Sequence, residues 1–483
     1  LEKEIQFILK KYFNGSVMHK GRVLPLTDQA KVEWKKMQEL SDQEDARILD
    51  GRTRTIPVEE QRYTTTLQVK EKKKFNYPKP EKFSLSNGVR VFAFNNTNIP
   101  KIEMILSLKA TSDYRTEEYP GLYLFMVSVM AEGTKKYPGH LFAQEVEKNG
   151  IGIDIKPGFI EVSCLKEDFS KALELLQELL MHATFEAVAL EKVRDQLLMN
   201  LKMYWDKPSL YGKHLAAKIL YKNHPYSICF YGTEESLAKI TRDQIYECYQ
   251  DYISAYQARI ALVGDFGDYD IKKELECALG SWSAKVVKDI DYPEIANLTS
   301  ETFKHVINRD QVSLIYVGKS ISRMDPDYQK LLLFDQIFSD SQMASRLFKI
   351  REETGLFYSI YGSTTHWADK QPGAFFISTM VSLDKKEEAK KIIVELLKTI
   401  VDSLTEEELI HAKKAVLEEQ VNLFEKNRGT GYVFLELDKF NLPDDYLEQR
   451  VALINNITLA EVKEAARKIL NLQHIALLEI GRV

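Results

Sequence analysis

A segment of 26 residues occurs twice in this chain, and that duplication limits the possible folds more than any other feature. KITRDQIYECYQDYISAYQARIALVG (239–264) recurs as NITLAEVKEAARKILNLQHIALLEIG (456–481), with Ile240-Thr241 answering Ile457-Thr458 and Ile260-Ala261-Leu262 answering Ile475-Ala476-Leu477. Helical runs ahead of each copy also correspond, 171–180 with 390–397. The offset of about 215 residues is too long for a solenoid, whose repeats span roughly 20–50 residues. The repeat therefore implies two homologous domains, 78–295 and 296–483, joined in the loop around 291–302. Each mixes antiparallel-type strands with helices, which predicts an α+β fold with a mostly antiparallel sheet layered by helices in each domain.

Local patterns fill in this outline. FSLSNGVRVFAFNN alternates apolar and polar residues around Asn87-Gly88, the strongest short hairpin signal. Strand-like runs at 101–110 and 153–164 and amphipathic helical runs at 169–183 and 187–204 lead to a β-like end at 258–264. Residues 1–77 differ. They hold a short amphipathic stretch (1–13), a charged helix-like stretch (28–49) with Trp34, Met37 and Leu40 at helical spacing, then DGRTRTIP and the basic run KEKKK (70–74), closed by Pro78 and Pro80. Apolar residues are sparse there, so a connector or clamp is expected rather than a domain with its own core. The chain starts at Leu1 instead of methionine, which suggests a processed product or a piece of a longer polypeptide.

Sixty-six basic residues stand against 71 acidic ones, a balance that gives no field for nucleic acid or an anionic membrane as main partner. No apolar run approaches the roughly 18 residues that cross a bilayer, and the first residues lack a secretory leader's pattern. A soluble chain without a transmembrane segment is expected. Cys164, Cys229, Cys248 and Cys277 form no C-x-x-C pair and are read as ordinary buried thiols.

The segment GLYLFMVSVMAEGT (121–134) has the layout of an inverted zincin helix, H-x-x-E-H, with the metal-binding side chains missing. Two imidazoles four residues apart lie on one helical face and grip one ion, and the carboxylate beside them serves as base. Here those positions are Leu124, Val127 and Ser128. The nine histidines (His19, His140, His182, His214, His224, His305, His366, His411, His474) include no pair spaced three or four apart, so no helix offers a two-histidine grip. Glu132, beside the old motif, reads as a helix-end carboxylate. His224-Pro225-Tyr226 reads as a turn, and Trp205, Trp282 and Trp367 as core or interface anchors.

From Phe83 onward the chain resembles the pitrilysin/insulinase family of zinc metallopeptidases. The likeness rests on five pieces in order: LSNGVRV, the degenerate GLYLFMVSVMAEGT, HPYSICFYGTEESLAKITRDQI (224–245), IALVGD, and SRLFKIREETGLFYSIYG (345–362). The resemblance implies a clamshell of two halves, each of two homologous domains, with zinc held by the amino-terminal half. This chain looks like the noncatalytic carboxy-terminal half. A third zinc ligand, a glutamate from a later helix, falls here at Met199 or Asn200 of FEAVALEKVRDQLLMNL. No cofactor is therefore expected in this chain, and zinc is expected in a partner half or subunit that carries H-x-x-E-H.

The resemblance further implies that this half lends an arginine and, seven residues on, a tyrosine to the zinc site across the chamber. Arg351 and Tyr358 match. A phenol can donate to the oxyanion of peptide hydrolysis, and a guanidinium offers a rigid fork to carbonyls or a carboxylate. The plainer reading makes Arg351 a surface helix residue paired with Glu352 or Glu353, and Tyr358 a strand residue in the core. In function the chain reads as the noncatalytic part of a zinc metalloendopeptidase acting on peptides or unfolded segments, inactive alone. The alternatives are a structural subunit like the core subunits of respiratory complexes, and an independent peptidase with a relocated metal site. The glycine-rich loop of the noncatalytic subunit of mitochondrial processing peptidase has no counterpart in 335–348.

Overall fold

The computed structural model describes residues 2–13, 21, 27–50, 75–340 and 344–482. The chain divides into two compact units, Leu1–Lys74 and Phe75–Val483. In the first, helices span Glu2–Tyr12 and Asp28–Asp50. Acidic residues begin the former and Lys10 and Lys11 end it, in keeping with the helix dipole. Trp34, Met37 and Leu40 do take helical spacing, and all three remain exposed. The basic run 70–74 lies outside the described residues.

The second unit is built on two sheets. The first contains β1 (Glu81–Ser84), β2 (Arg90–Asn95), β3 (Lys101–Ser107), β4 (Gly152–Lys156), β5 (Phe159–Leu165) and β6 (Arg259–Gly264), ordered β1-β2-β6-β3-β5-β4. The second contains β7 (Thr302–Val306), β8 (Gln311–Lys319), β9 (Ser359–His366), β10 (Ala374–Ser382) and β11 (Ile475–Gly481), ordered β7-β11-β8-β10-β9. Pairing is antiparallel except for β2 with β6 and β7 with β11. The α+β reading is borne out. The run 153–164 is two strands rather than one, because Pro157 and Gly158 reverse the chain between β4 and β5.

The repeated segment supplies the same part to both sheets. Thr241 and Thr458 each cap a helix (Arg242–Tyr252 and Leu459–Ile469), with Gln244 and Glu461 completing the capping boxes. Each helix feeds the strand, β6 or β11, that lies parallel to one neighbour and antiparallel to the other. Both strands end on a glycine at φ near 150°, and at Gly264 a Cβ would stand 2.1 Å from the Lys101 carbonyl oxygen.

Period-two alternation divides each central strand between two cores. Ile260 and Leu262 of β6 join the cluster holding helices Leu122–Met130 and Phe169–His182, whereas Ala261 and Val263 face Phe434 and Leu435. Leu314 and Tyr316 of β8 face one core, and Ile315 and Val317 the other, where Ala216 and Leu220 pack. The helix Asn427–Lys439, which follows the second sheet's strand β10, thus covers β3 and β6 of the first. Reciprocally, Pro208–Leu220, which precedes the second sheet in sequence, covers β8 and β11. Close approach needs glycine at both crossings. A Cβ on Gly212 would stand 2.3 Å from Ile315 Cδ1, and one on Gly431 3.0 Å from Ile105 Cδ1.

Buried charge is compensated locally. Glu479 of β11 is 1% exposed and accepts from Lys386 Nζ at 3.0 Å and Lys390 Nζ at 2.8 Å. Burial pushes its carboxyl upward, but the two ammonium groups outweigh burial and hold it below the ordinary glutamate value. A carboxylate with a depressed folded pKa adds stability above its unfolded pKa of about 4.3 and loses it as pH falls through the folded value. Glu479→Gln should therefore lower unfolding free energy by about 3 kcal/mol at pH 7. The gap from wild type should close below about pH 4, as denaturant titrations at several pH values would show. An unchanged gap at low pH would exclude the charge effect.

The cysteines require one correction. Cys164, Cys229 and Cys248 are buried, but Cys277 is exposed, on the outer face of the helix Ile271–Leu279 whose inner face carries Ile271 and Leu275.

Candidate functional site

The helix Leu122–Met130 is apolar around most of its surface and is packed accordingly. Val127 is 2% exposed, Leu124 rests against the surrounding core, and the Ser128 hydroxyl donates to the Leu124 carbonyl oxygen at 2.7 Å. The neighbouring helix Ala187–Trp205 buries Val193, Leu197 and Leu201, leaving Met199 61% exposed and Asn200 exposed as well. Two aliphatic side chains, a self-satisfied hydroxyl and a thioether in solvent do not form a zinc donor set. A zinc ion does not fit here. Glu132 ends the helix and pairs with Lys192 Nζ at 2.7 Å, a structural tie. Among the described residues no three His, Cys, Asp or Glu side chains converge as a metal site.

The other sequence-predicted pair is brought onto one surface. Ser345 caps the helix Arg346–Thr354, Gly355 ends it at φ 62°, and Arg346 anchors it through a two-pronged contact with Glu408 at 2.6 and 2.9 Å. Leu347 and Phe357 face the core. Because Phe357 takes the inward position, Tyr358 points outward and is 85% exposed, just before β9 begins. The core reading of Tyr358 is therefore wrong. Arg351 lies over the Phe348 ring at 5.4 Å, with Nη2 3.8 Å from Glu352, a weak pairing that leaves the guanidinium accessible. Arg351 and Tyr358 line the same open depression, about 460 Å³ in volume, with Met380 and Ser382.

A residue that sequence reasoning passed over secures this region. Asp335 is fully buried and accepts from the Thr364 backbone N–H at 2.6 Å and hydroxyl at 2.7 Å, and from the Ser363 and Thr365 hydroxyls at 2.8 Å each. Burial pushes its carboxyl upward against the pull of those donors. It precedes a π-helical turn, Gln336–Asp340, and pins the edge strand β9 to the helix Tyr328–Asp335. The available signal was a lone carboxylate within the apolar run LLLFDQIF.

Other sequence-predicted positions hold structural roles. His224 Nδ1 accepts from Tyr226 N–H at 3.1 Å and shapes the Pro225–Ser227 turn. Trp282 is buried and donates to the Ile253 carbonyl oxygen at 3.2 Å, while Trp205 packs against Tyr204, Tyr211 and His214. Burial drives His214 and His366 down to about 4, so both are neutral at pH 7.

Duplicated sheets and an emptied zincin helix define a peptidase-like fold with no metal centre among the described residues. The chain belongs to peptidase family M16, the insulinase family, and carries Leu124, Val127 and Ser128 where that family's zinc helix reads H-x-x-E-H. Residues 90–234 match the family model described as Insulinase (Peptidase family M16), and residues 239–416 match the Peptidase M16 inactive domain. The chain is 26% identical to the uncharacterized zinc protease YmxG of Bacillus subtilis, over 69% of this chain and 82% of that protein. It is 27% identical to the non-peptidase homolog YmxG of Helicobacter pylori, over 62% and 69% respectively. A solved M16 inactive domain from Pseudomonas fluorescens shares the fold with a TM-score of 0.77 at 23% identity, covering 84% of this chain and 98% of that one. The family resemblance drawn from the five sequence pieces is borne out.

Proposed function

We propose that this chain is the noncatalytic half of a zinc metallopeptidase, closing over a half or subunit that carries H-x-x-E-H and zinc. The observation that carries this reading is the pairing of an emptied metal helix with Arg351 and Tyr358, left accessible on one face. A tyrosine that spends its ring in solvent, one residue after a buried phenylalanine, costs the fold apolar burial and suits a contact made elsewhere. In this reading Tyr358 donates to the oxyanion of a scissile peptide and Arg351 orients the chain through its carbonyls or terminal carboxylate. The substrates are peptides or unfolded segments, held as an added strand along an exposed sheet edge such as β4 or β9. Residues 1–77 would link this half to the catalytic one, and 78–295 and 296–483 would be its two domains.

The purified chain should cleave nothing, and addition of the H-x-x-E-H half should produce chelator-sensitive peptide hydrolysis. Chelator-sensitive cleavage by the chain alone would overturn the proposal. A structural role is the second reading, favoured by a 24% identity over 39% of the chain to cytochrome b-c1 complex subunit 1 of Bos taurus. A complex that assembles without gaining hydrolysis would support it. No helix among the described residues is long and apolar enough to cross a membrane.

A further inference from the structure

A second cavity, of about 410 Å³, lies apart from the Arg351 and Tyr358 surface, where the helix Pro208–Leu220 and its following loop meet the β9–β10 connection. Its walls are aromatic, with Tyr204, Tyr221, Tyr226, Phe230 and Trp367 all contributing. Trp367 holds a left-handed backbone at φ 61°, uncommon for a bulky residue, with its indole against His366, Phe376 and Tyr221.

Two charged groups on the same walls keep unused bonding capacity. Arg115 donates through Nε to the Ser112 carbonyl oxygen at 2.8 Å and through Nη1 to the Ile228 carbonyl oxygen at 2.9 Å, over the Phe230 ring. Its Nη2 has no hydrogen-bond partner among the described residues, and no carboxylate there lies within ion-pairing distance. Asp113 accepts from the Tyr226 and Tyr292 hydroxyls at 3.3 and 3.2 Å, both on Oδ2, and its Oδ1 has no hydrogen-bond partner among the described residues. Burial weakens Arg115 and pushes the Asp113 carboxyl upward, as expected for charges short of partners. Asp369, also on the wall, is neutralised by Lys439 at 2.5 Å.

We propose that this cavity binds an aromatic residue ending in a free carboxylate, as at the C-terminus of a peptide. The carboxylate takes the open face of the Arg115 guanidinium, the residue's N–H donates to Asp113, and the ring fills the space between the tyrosines and Trp367. A cavity of this size accommodates such a residue with part of the one before it. A free aromatic amino acid carries the same three groups. The site requires neither zinc nor the catalytic half, so it stands or falls apart from the proposed function.

The test is calorimetric titration of the whole purified chain with N-acetyl-glycyl-phenylalanine, its C-terminal amide, and phenylalanine. The acid should bind at least tenfold more tightly than the amide. Arg115→Lys, which retains charge but loses the fork, should weaken the acid at least tenfold and leave the amide unchanged. Ala217→Phe, which fills the cavity from its helical wall, should abolish binding with the thermal midpoint held. Tighter binding of phenylalanine than of the acetylated dipeptide would support the same chemistry and assign it to the free amino acid. Equal affinity for acid and amide, no saturable binding at millimolar ligand, or binding that survives Ala217→Phe would each overturn the proposal.

Discussion

Tyr358→Phe should lower the turnover of the reconstituted peptidase by about two orders of magnitude, the usual effect of removing one donor from an oxyanion site. KM should change little, because the bond forms only as the carbonyl becomes tetrahedral. The position suits the experiment. With Tyr358 85% exposed and its hydroxyl without a hydrogen bond among the described residues, loss of that hydroxyl should alter stability by no more than about 0.5 kcal/mol. Lost activity could then not be attributed to unfolding. Arg351→Lys should act chiefly on KM, since an ammonium keeps charge but not the planar fork. Equal kcat for wild type and Tyr358→Phe would remove the tyrosine from the mechanism and leave the chain a wall or scaffold.

Exchange of helices between the two sheets leads to the second large effect. A valine at Gly212 would drive its side chain into Ile315 and Ile480, both at 0% exposure, and at Gly431 into Ile105 and Ala261. Each substitution should cost about 3 kcal/mol by overpacking. Denaturant titration of the intact chain checks this, and a loss under about 1 kcal/mol at both positions would mean the crossings are loosely packed. Separately expressed, 75–295 and 296–483 should each fail to unfold cooperatively, because β3 and β6 lose Phe434 and Leu435 while β8 and β11 lose Ala216 and Leu220. Mixed together, they should recover one transition. A cooperative transition in either fragment alone would contradict the exchange as a folding requirement.

The repeat could be read from sequence because its physics is local. A threonine cap with its answering Gln244 or Glu461, a helix, a β-branched strand and a closing glycine all lie within one short segment. The hairpin at Asn87-Gly88 and the helix Phe169–His182 were legible for the same reason. Helix exchange was not. Periodicity shows that Pro208–Leu220 has an apolar face, but not which sheet that face meets, and the sheet concerned begins some 80 residues later. The plainer reading of Tyr358 as a core residue fails because the strand period does not fix its phase, and Phe357 takes the buried position. The aromatic cavity draws its walls from residues 112 to 369, and no motif joins them.

The crossed helices also restrict motion. For the two sheets to swing apart, each would have to release a helix belonging to the other and expose both apolar undersides to water at once. Residues 75–483 should therefore move as one rigid unit. If the proposed peptidase forms, a gap that admits a peptide should open at the seam with the catalytic half, with the hinge outside residues 75–483.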